Sequence, residues 1–361
     1  MRCGTENRFR TLPCLLPHQI FLTNPRPQSF FGEIHLLYPE LQFGPWRIAS
    51  TLALTSLNFA PERTIRRTIK IVQDPQFFEI RTWHHHWIDD DKIVMSLTRL
   101  GNDYLLRFPD LADFLLQPHA TRISLVQRCA GSNDATLEHL LIDQVLPRYL
   151  AHEGMLSLHA SALVIDDKCI LILGKSGAGK STLSGVLAAR GHTLLSDDCT
   201  LVELDGSHVF ATPTYPSLRL LPDSIEALYP LGAEVRPMAH YSSKQRVVSQ
   251  SGDIDPPTLP IDGLFLLDTP GEAAAAVTLD PMSAAGTCVA LLRHSFQLDP
   301  GDRPRMAAHL RRCSEVARRL PACRLDYPRR YDQMAGVAAA IEAHVSAMPG
   351  SNAPQAAQPG S

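Results

Sequence analysis

The sequence predicts an α/β protein, α+β overall, in which a β-rich N-terminal domain precedes a domain built on a strand, a glycine loop and a helix. Two observations carry this prediction. Short β-like runs recur between residues 31 and 128, with turn residues between them. Further on, an apolar run leads directly into a glycine-rich loop and an amphipathic stretch. A chain of 361 residues is long enough for two domains of ~100–200 residues each. Its 45% hydrophobic and 20% charged residues are ordinary for folded domains.

Residues 1–30 are rich in Pro, Asn and Arg and are expected to be irregular. Residues 31–150 form the β-rich domain, with IHLLY, WRIAS, TIKIV, FFEIRTW, KIVMSLTRL and DYLLRF as its strands. Gly101-Asn102 and Pro109-Asp110 supply turns. His84, His85 and His86 lie beside Trp83 and Trp87, but adjacent strand residues face opposite sides, so they are not expected to converge on a metal. Asp89, Asp90 and Asp91 read as the turn that follows. From Ala135 to His152, Leu137, Leu140, Leu141, Val145, Leu146 and Leu150 repeat at helical spacing.

The second domain, residues 151–346, opens on MLSLHASALVID. Its alternation sets Leu156, Leu158, Ala160 and Ala162 on one face of a strand and Ser157, His159 and Ser161 on the other. Asp166-Asp167 turns the chain into CILIL, which runs into GKSGAGKST at 174–182, a full match to G-x-x-x-x-G-K-[ST]. Gly174, Gly177 and Gly179 let backbone N–H groups turn toward one phosphate cluster, and the following helix adds the positive end of its dipole. The whole segment, Gly174, Lys175, Ser176, Gly177, Ala178, Gly179, Lys180, Ser181 and Thr182, is the expected nucleotide cradle. Lys180 is expected to reach the β- and γ-phosphates, and the Ser181 hydroxyl to ligate Mg²⁺. Gly191 closes the helix. Residues 347–361 are Pro/Ser/Ala/Gln-rich and are expected to be disordered.

Three classes of phosphate-binding protein compete. Asp268-Thr269-Pro270-Gly271 mimics a switch element of GTPases, but no Asn-Lys-x-Asp segment follows, so it reads as a strand ending in a turn. A transporter ATPase needs an L-S-G-G-Q segment far from the loop, and Leu183-Ser184-Gly185 lies inside the loop's own helix. A kinase needs a base near the γ-phosphate and a carboxylate for the metal. Asp197-Asp198 offers both, at the end of HTLLS just after the loop's helix. A β-α-β arrangement sets that strand beside the loop's strand, its end at the phosphate edge. One carboxylate then faces the acceptor and the other the metal.

Three segments resemble the HPr kinase/phosphorylase family of serine kinases: LHASALVIDDKCILILGKSGAGKST, then RGHTLLSDDCTLV, and more loosely the later region. The resemblance is specific over residues 155–205. It implies a core like that of phosphoenolpyruvate carboxykinase, with ATP and Mg²⁺ as cofactors. It makes Asp198 the base toward an acceptor serine, Asp197 a metal or water partner, and His159 and Lys180 the groups near the transferring phosphate. YPSLRLLPDSIEALYP at 215–230 stands in place of the family's segment with Glu before Arg-Gly. With LHASAL and YPRRYDQM, it resembles a subgroup found with lasso-peptide biosynthesis, whose members phosphorylate the C-terminal serine of a precursor peptide. A serine kinase acting on a small phosphocarrier and a nucleotide sensor without transferase activity stay open as alternatives, as does a homo-oligomer. Arg219 and Arg246 are candidates for further phosphate or peptide contacts.

A net charge of −3 gives no global field for nucleic acid or an anionic membrane. No apolar stretch approaches the ~20 residues of a membrane span. The eight cysteines form no Cys-x-x-Cys pair and the start lacks a signal-peptide core, which points to the cytoplasm. The arginines between Arg303 and Arg330 read as a solvated helix face, with an acidic peptide or phosphate as the sharper reading.

Overall fold

A computed structural model describes residues 40–58, 67–215, 217–247, 258–267 and 276–349. The segment 1–30, the run IHLLY, the Asp268–Gly271 turn and residues 350–361 of the tail lie outside the described residues. Among the described residues the fold is mixed α/β, with two large sheets and one small one.

The first sheet has eight strands. His85–Asp89, Lys92–Leu100, Asp103–Phe108, Ala112–Gln117 and Arg122–Arg128 form an antiparallel meander. Arg67–Gln73 pairs parallel with Arg122–Arg128 on one side and with Trp46–Ser50 on the other, and Glu40–Phe43 closes the edge. Asp90 and Asp91 take φ of 44° and 61° in the hairpin turn, a conformation that Asp tolerates better than most residues.

FFEIRTW is not a strand. After Arg67–Gln73 the chain stays hydrogen-bonded to Arg122–Arg128 through the Asp74 and Gln76 N–H groups and then runs across the sheet. Phe78 and Ile80 pack on Leu105, Leu115 and Val126, while Phe77 is 87% exposed. Its alternation therefore reports one buried face, not a pairing edge.

The expected helix forms, but with a defect. Asn133 caps its start by accepting from the Thr136 N–H, and the helix then runs Asp134–Leu140, a π-helical turn Leu141–Val145, and Leu146–His152. Pro147 lacks an N–H for the Asp143 carbonyl, which accounts for the widened turn. Leu137, Leu140, Leu141, Val145, Leu146 and Leu150 all join one core with Ile48, Ile69, Leu97 and Phe114 of the sheet.

The second sheet runs Thr193–Ser196, Ala160–Ile165, Lys168–Leu173, Leu259–Leu267, His208–Pro213, Thr200–Asp205, Leu156–Leu158, with Ala322–Asp326 and Thr278–Pro281 branching beside Leu259–Leu267. Ala160–Ile165 and Lys168–Leu173 form a hairpin, turned by Asp166 and Asp167 at positive φ. HTLLS therefore does not lie beside the glycine-loop strand. The hairpin partner occupies that slot and pairs antiparallel with both neighbours. The two outer strands stay parallel in direction, so their C-terminal ends still open at one edge.

Helices cover both faces of this sheet. Ile170 and Ile172 meet the helices Lys180–Ala189 and Met334–Ala347 through Leu183, Val186, Val337 and Ile341. Leu171 and Leu173 face Leu291, Cys313 and Val316 on Ala284–Arg293 and Arg303–Arg319. The latter helix turns Arg303, Arg305, Arg311, Arg318 and Arg319 outward. A small sheet of Leu218–Leu220, Gln245–Val247 and Val235–Pro237 lies against the Lys180–Ala189 helix through Leu218, Leu220 and the helix Pro222–Leu228. No helix among the described residues is long and apolar enough to cross a membrane.

Burial pushes His152 and His309 down to about 4, helped by Arg305 and Arg312 respectively. Both are uncharged in the fold at neutral pH. Below the ordinary value of ~6.5, the unfolded chain takes up protons that these groups refuse. Stability should therefore fall as pH drops from about 6.5 toward 4. Urea midpoints at pH 7 and 4.5 would check this. His309→Gln, which retains a hydrogen-bond partner for Ser295, should flatten the slope.

Candidate active site

The site is built on two strand breaks that face one another. Leu156–Leu158 and Ala160–Ile165 are one long strand interrupted at His159, and Thr193–Ser196 and Thr200–Asp205 are a second interrupted at Asp197–Cys199. Ala162 stands opposite Ser196 on one side of the break, and Leu158 opposite Thr200 on the other. The number of residues between these pairs is the same on both strands, so the register survives the interruption. At the break the Cys199 N–H donates back to the Asp197 carbonyl at 2.9 Å, and Asp198 takes a φ of 64°. Left-handed backbone at a non-glycine residue is costly and is held in place by its surroundings. Here it separates two adjacent carboxylates: Asp197 is wholly buried, and the Asp198 side chain is 13% exposed.

The glycine loop comes to the same edge. Gly177 and Gly179 take φ of 80° and 95°, and a Cβ on Gly179 would stand 2.9 Å from the Tyr327 hydroxyl. Lys180, the first residue of the helix, is buried and bonds His159 Nε2 at 2.9 Å. His159 Nδ1 lies 3.1 Å from the Asp198 carbonyl, which can only accept, so Nδ1 carries the proton and Nε2 accepts from Lys180. Burial and the neighbouring Lys180 push His159 down to about 4. It is a neutral ring with an assigned tautomer; the His159 backbone N–H donates to the His294 carbonyl, and the ring stands edge-on to Phe296.

Ser161 donates to Asp197 Oδ1 at 2.5 Å. Asp197 Oδ2 is buried and has no hydrogen-bond partner among the described residues. Burial and the adjacent Asp198 push the Asp197 carboxyl up, against the pull of Ser161, Lys180 and Ser181. Burial also works against the charge of Asp198, but Arg219, with Lys180 and Lys244, outweighs it and holds that carboxyl well below the usual range.

Arg219 is the hub of a buried network that sequence reading found only in part. Its Nη1 bridges Asp198 Oδ2 at 2.9 Å and Asp143 Oδ1 at 2.6 Å, and Nη2 donates to the Tyr215 hydroxyl at 2.5 Å. Tyr215 donates to Asp143 Oδ1, and His139 bonds Asp143 Oδ2 at 2.5 Å. Burial opposes the charge of Asp143, yet Arg219 and His139 keep it below the ordinary carboxylate range. Asp143 lies in the π-helical turn. Its signal in the sequence was an acid amid Leu141, Ile142, Val145 and Leu146 on an apolar helix face.

Two adjoining cavities share these groups. A cleft of about 80 Å³ over the glycine loop is lined by Ser176, Gly177, Gly179, Lys180, Ser181 and Thr182, with His159, Asp198, Arg219, Leu221 and Lys244. A larger cavity of about 380 Å³ also touches Ser176, His159, Asp198, Arg219 and Lys244, and extends to His139, Asp143, Gln144, Met238, Ser242 and Phe296. Of the expected loop residues, Lys175 is exposed and lines neither cavity, Ala178 packs into the core, and Thr182 meets Ser224 at 3.2 Å. Ser224 in turn contacts Tyr331 of YPRRYDQM at 2.8 Å. Arg246, opposite Arg219 in the small sheet, lines neither cavity and is buried 3.6 Å from Glu138.

No protein-family model matches the chain. Over 86 residues, 24% of its length, it is 35% identical to HPr kinase/phosphorylase 2 of Oceanobacillus iheyensis. That stretch is 26% of the relative, so the chain spans about a quarter of the curated protein it matches. Among solved structures, the Hpr(Ser) kinase/phosphatase from Coxiella burnetii aligns with 53% of this chain and 96% of its own, at 14% identity and a TM-score of 0.27. The sequence relationship to an HPr kinase/phosphorylase is local and distant.

Removing Arg219 leaves two buried carboxylates without their shared cation, which typically costs ~3–5 kcal/mol. Arg219→Met should lower stability to urea by about that much. Adding Asp143→Asn should recover part of the loss, because one uncompensated charge is then gone. A double variant no more stable than Arg219→Met would contradict the bridging geometry.

Proposed function

We propose that this chain is an ATP-dependent serine kinase, and that its acceptor is the C-terminal serine of a precursor peptide of the lasso-peptide class. The carrying observation is that His159, Asp198 and Arg219 line both the glycine-loop cleft, where Lys180 also stands, and an adjoining cavity. A phosphoryl donor on the loop and an acceptor in the second cavity would meet at Asp198. The local similarity to an HPr kinase/phosphorylase supports the same reaction class.

The residues suit each step. The loop amides and the helix start would cradle the phosphates of ATP. Ser181 and the unpartnered Asp197 Oδ2 lie close together, fit a hard cation and would hold Mg²⁺. When bound, that ion would offset charge on the phosphates. In the transfer, the serine oxygen attacks the γ-phosphorus in line, the bond from that phosphorus to the β–γ bridging oxygen breaks, and ADP leaves. The hydroxyl proton passes to Asp198. Arg219 occupies Oδ2, which leaves Oδ1 for this task. A carboxylate of depressed pKa suffices, because in a loose phosphoryl transfer the acceptor becomes strongly acidic only as its bond to phosphorus forms. His159, neutral and fixed in tautomer, would hold Lys180 at the γ-phosphate.

Asp198→Asn should keep ATP·Mg²⁺ binding and lose transfer by ~10²–10⁴. Lys180→Ala should lose both. Asp197→Asn should raise the Mg²⁺ concentration needed for nucleotide binding. Isothermal titration and transfer of labelled phosphate to a peptide ending in serine read these effects. Transfer by Asp198→Asn at the wild-type rate would sink the base assignment. Label on a phosphocarrier in place of a peptide would favour the HPr-like acceptor, the class named for the Oceanobacillus relative. Nucleotide binding with no transfer to either would leave a sensor.

A further inference from the structure

The larger cavity holds a cation that makes no direct ion pair. Both carboxylates on its wall are spoken for: Asp143 by Arg219, His139 and Tyr215, and Asp198 by Arg219. Its remaining cation is Lys244, half-buried on the connection between Val235–Pro237 and Gln245–Val247. The backbone there is anchored by the Lys244 N–H to Ser242 Oγ at 3.2 Å. Among the described residues, the Lys244 ammonium has neither an ion pair nor a hydrogen bond. Lys180 and Arg219, by contrast, are both partnered. A cation held in a partly desolvated cavity favours an anionic ligand.

The position says which anion. The phosphate end of the site already has the loop amides and Lys180. The larger cavity extends away from the loop, toward Gln144, Met238 and Phe296. At about 380 Å³ it lies at the small end of ligand-pocket sizes, with room for the end of a peptide. Lys244 borders both cavities, so it stands near the point where the acceptor hydroxyl must meet the γ-phosphate.

We propose that the larger cavity seats the acceptor serine and that Lys244 pairs with a carboxylate borne next to its hydroxyl, the α-carboxylate of a chain-terminal serine. This rests on the kinase reading above and makes Lys244 the residue that distinguishes a terminal serine from an internal one.

The test uses the full chain with ATP·Mg²⁺ and two forms of one short synthetic peptide, ending in serine as the free acid or as the carboxamide. Steady-state transfer to each is measured for the wild type, Lys244→Gln and Lys244→Arg, with nucleotide affinity measured in parallel. A lost charge-assisted contact of this kind is worth about 10- to 100-fold in binding. Amidation should raise the peptide KM of the wild type by that factor. Lys244→Gln should raise it equally for the free acid and so erase the difference between the two peptides. Lys244→Arg should retain most of the preference, and the parallel nucleotide affinities separate any effect at the glycine-loop cleft, which Lys244 also lines, from the effect on the peptide. A loss of kcat in Lys244→Gln that is equal for both peptides would overturn the proposal and move Lys244 to the phosphate. A preference that persists in Lys244→Gln, or a wild type that treats the two peptides alike, would also overturn it while leaving the kinase reading intact. If the wild type binds ATP·Mg²⁺ but labels neither peptide, the peptide-kinase reading fails, and this inference with it.

Discussion

Two antiparallel strands break opposite one another without losing register, and the candidate site depends on that break. An unbroken ladder would send successive side chains to opposite faces of a flat sheet. The left-handed residue at Asp198 instead buries one carboxylate beside Ser161 and directs its neighbour toward the cavities. On the opposite strand the same interruption lets His159 donate to the Asp198 carbonyl and accept from Lys180. The strain is confined to a few residues. On either side, Lys168–Leu173 and Leu259–Leu267 form a fully packed floor.

Electrostatics then divides the work between adjacent acids. Asp197 and Asp198 share a backbone turn, yet their carboxyls move in opposite directions. Burial disfavours charge at both, and the partners decide the outcome. Asp198 meets Arg219, whereas Asp197 meets a serine hydroxyl and the field of Asp198. Arg219 is itself held by Asp143 from the helix that packs on the first sheet. The hub thus couples two layers of the molecule, and the widened helical turn at Leu141–Val145 falls where that coupling is made.

Much of this was legible in the residues. The glycine loop, its strand and its helix form where the pattern sets them. The helical spacing over 135–152 marks the residues that pack on the first sheet. FFEIRTW misled because a segment lying across a sheet buries alternate residues just as a strand does. HTLLS ended at the expected edge although its neighbour differs, since a hairpin inserted between two strands preserves their common direction. Arg219 and Arg246 look alike in sequence and stand opposite one another in the small sheet, yet only Arg219 reaches the cavities.

By itself, the sequence determined what depends on neighbouring residues: the loop, the caps and turns, the alternating faces and the paired acids. These follow from backbone sterics and periodicity, which act over a few positions. Only the tertiary structure decided that Asp143 and Tyr215 would hold Arg219 against Asp198, that His159 would be neutral and bonded to Lys180, and that Lys244 would border both cavities. Those contacts join residues far apart in the chain. Their charges depend on burial and partners, which exist only once the sheets have packed.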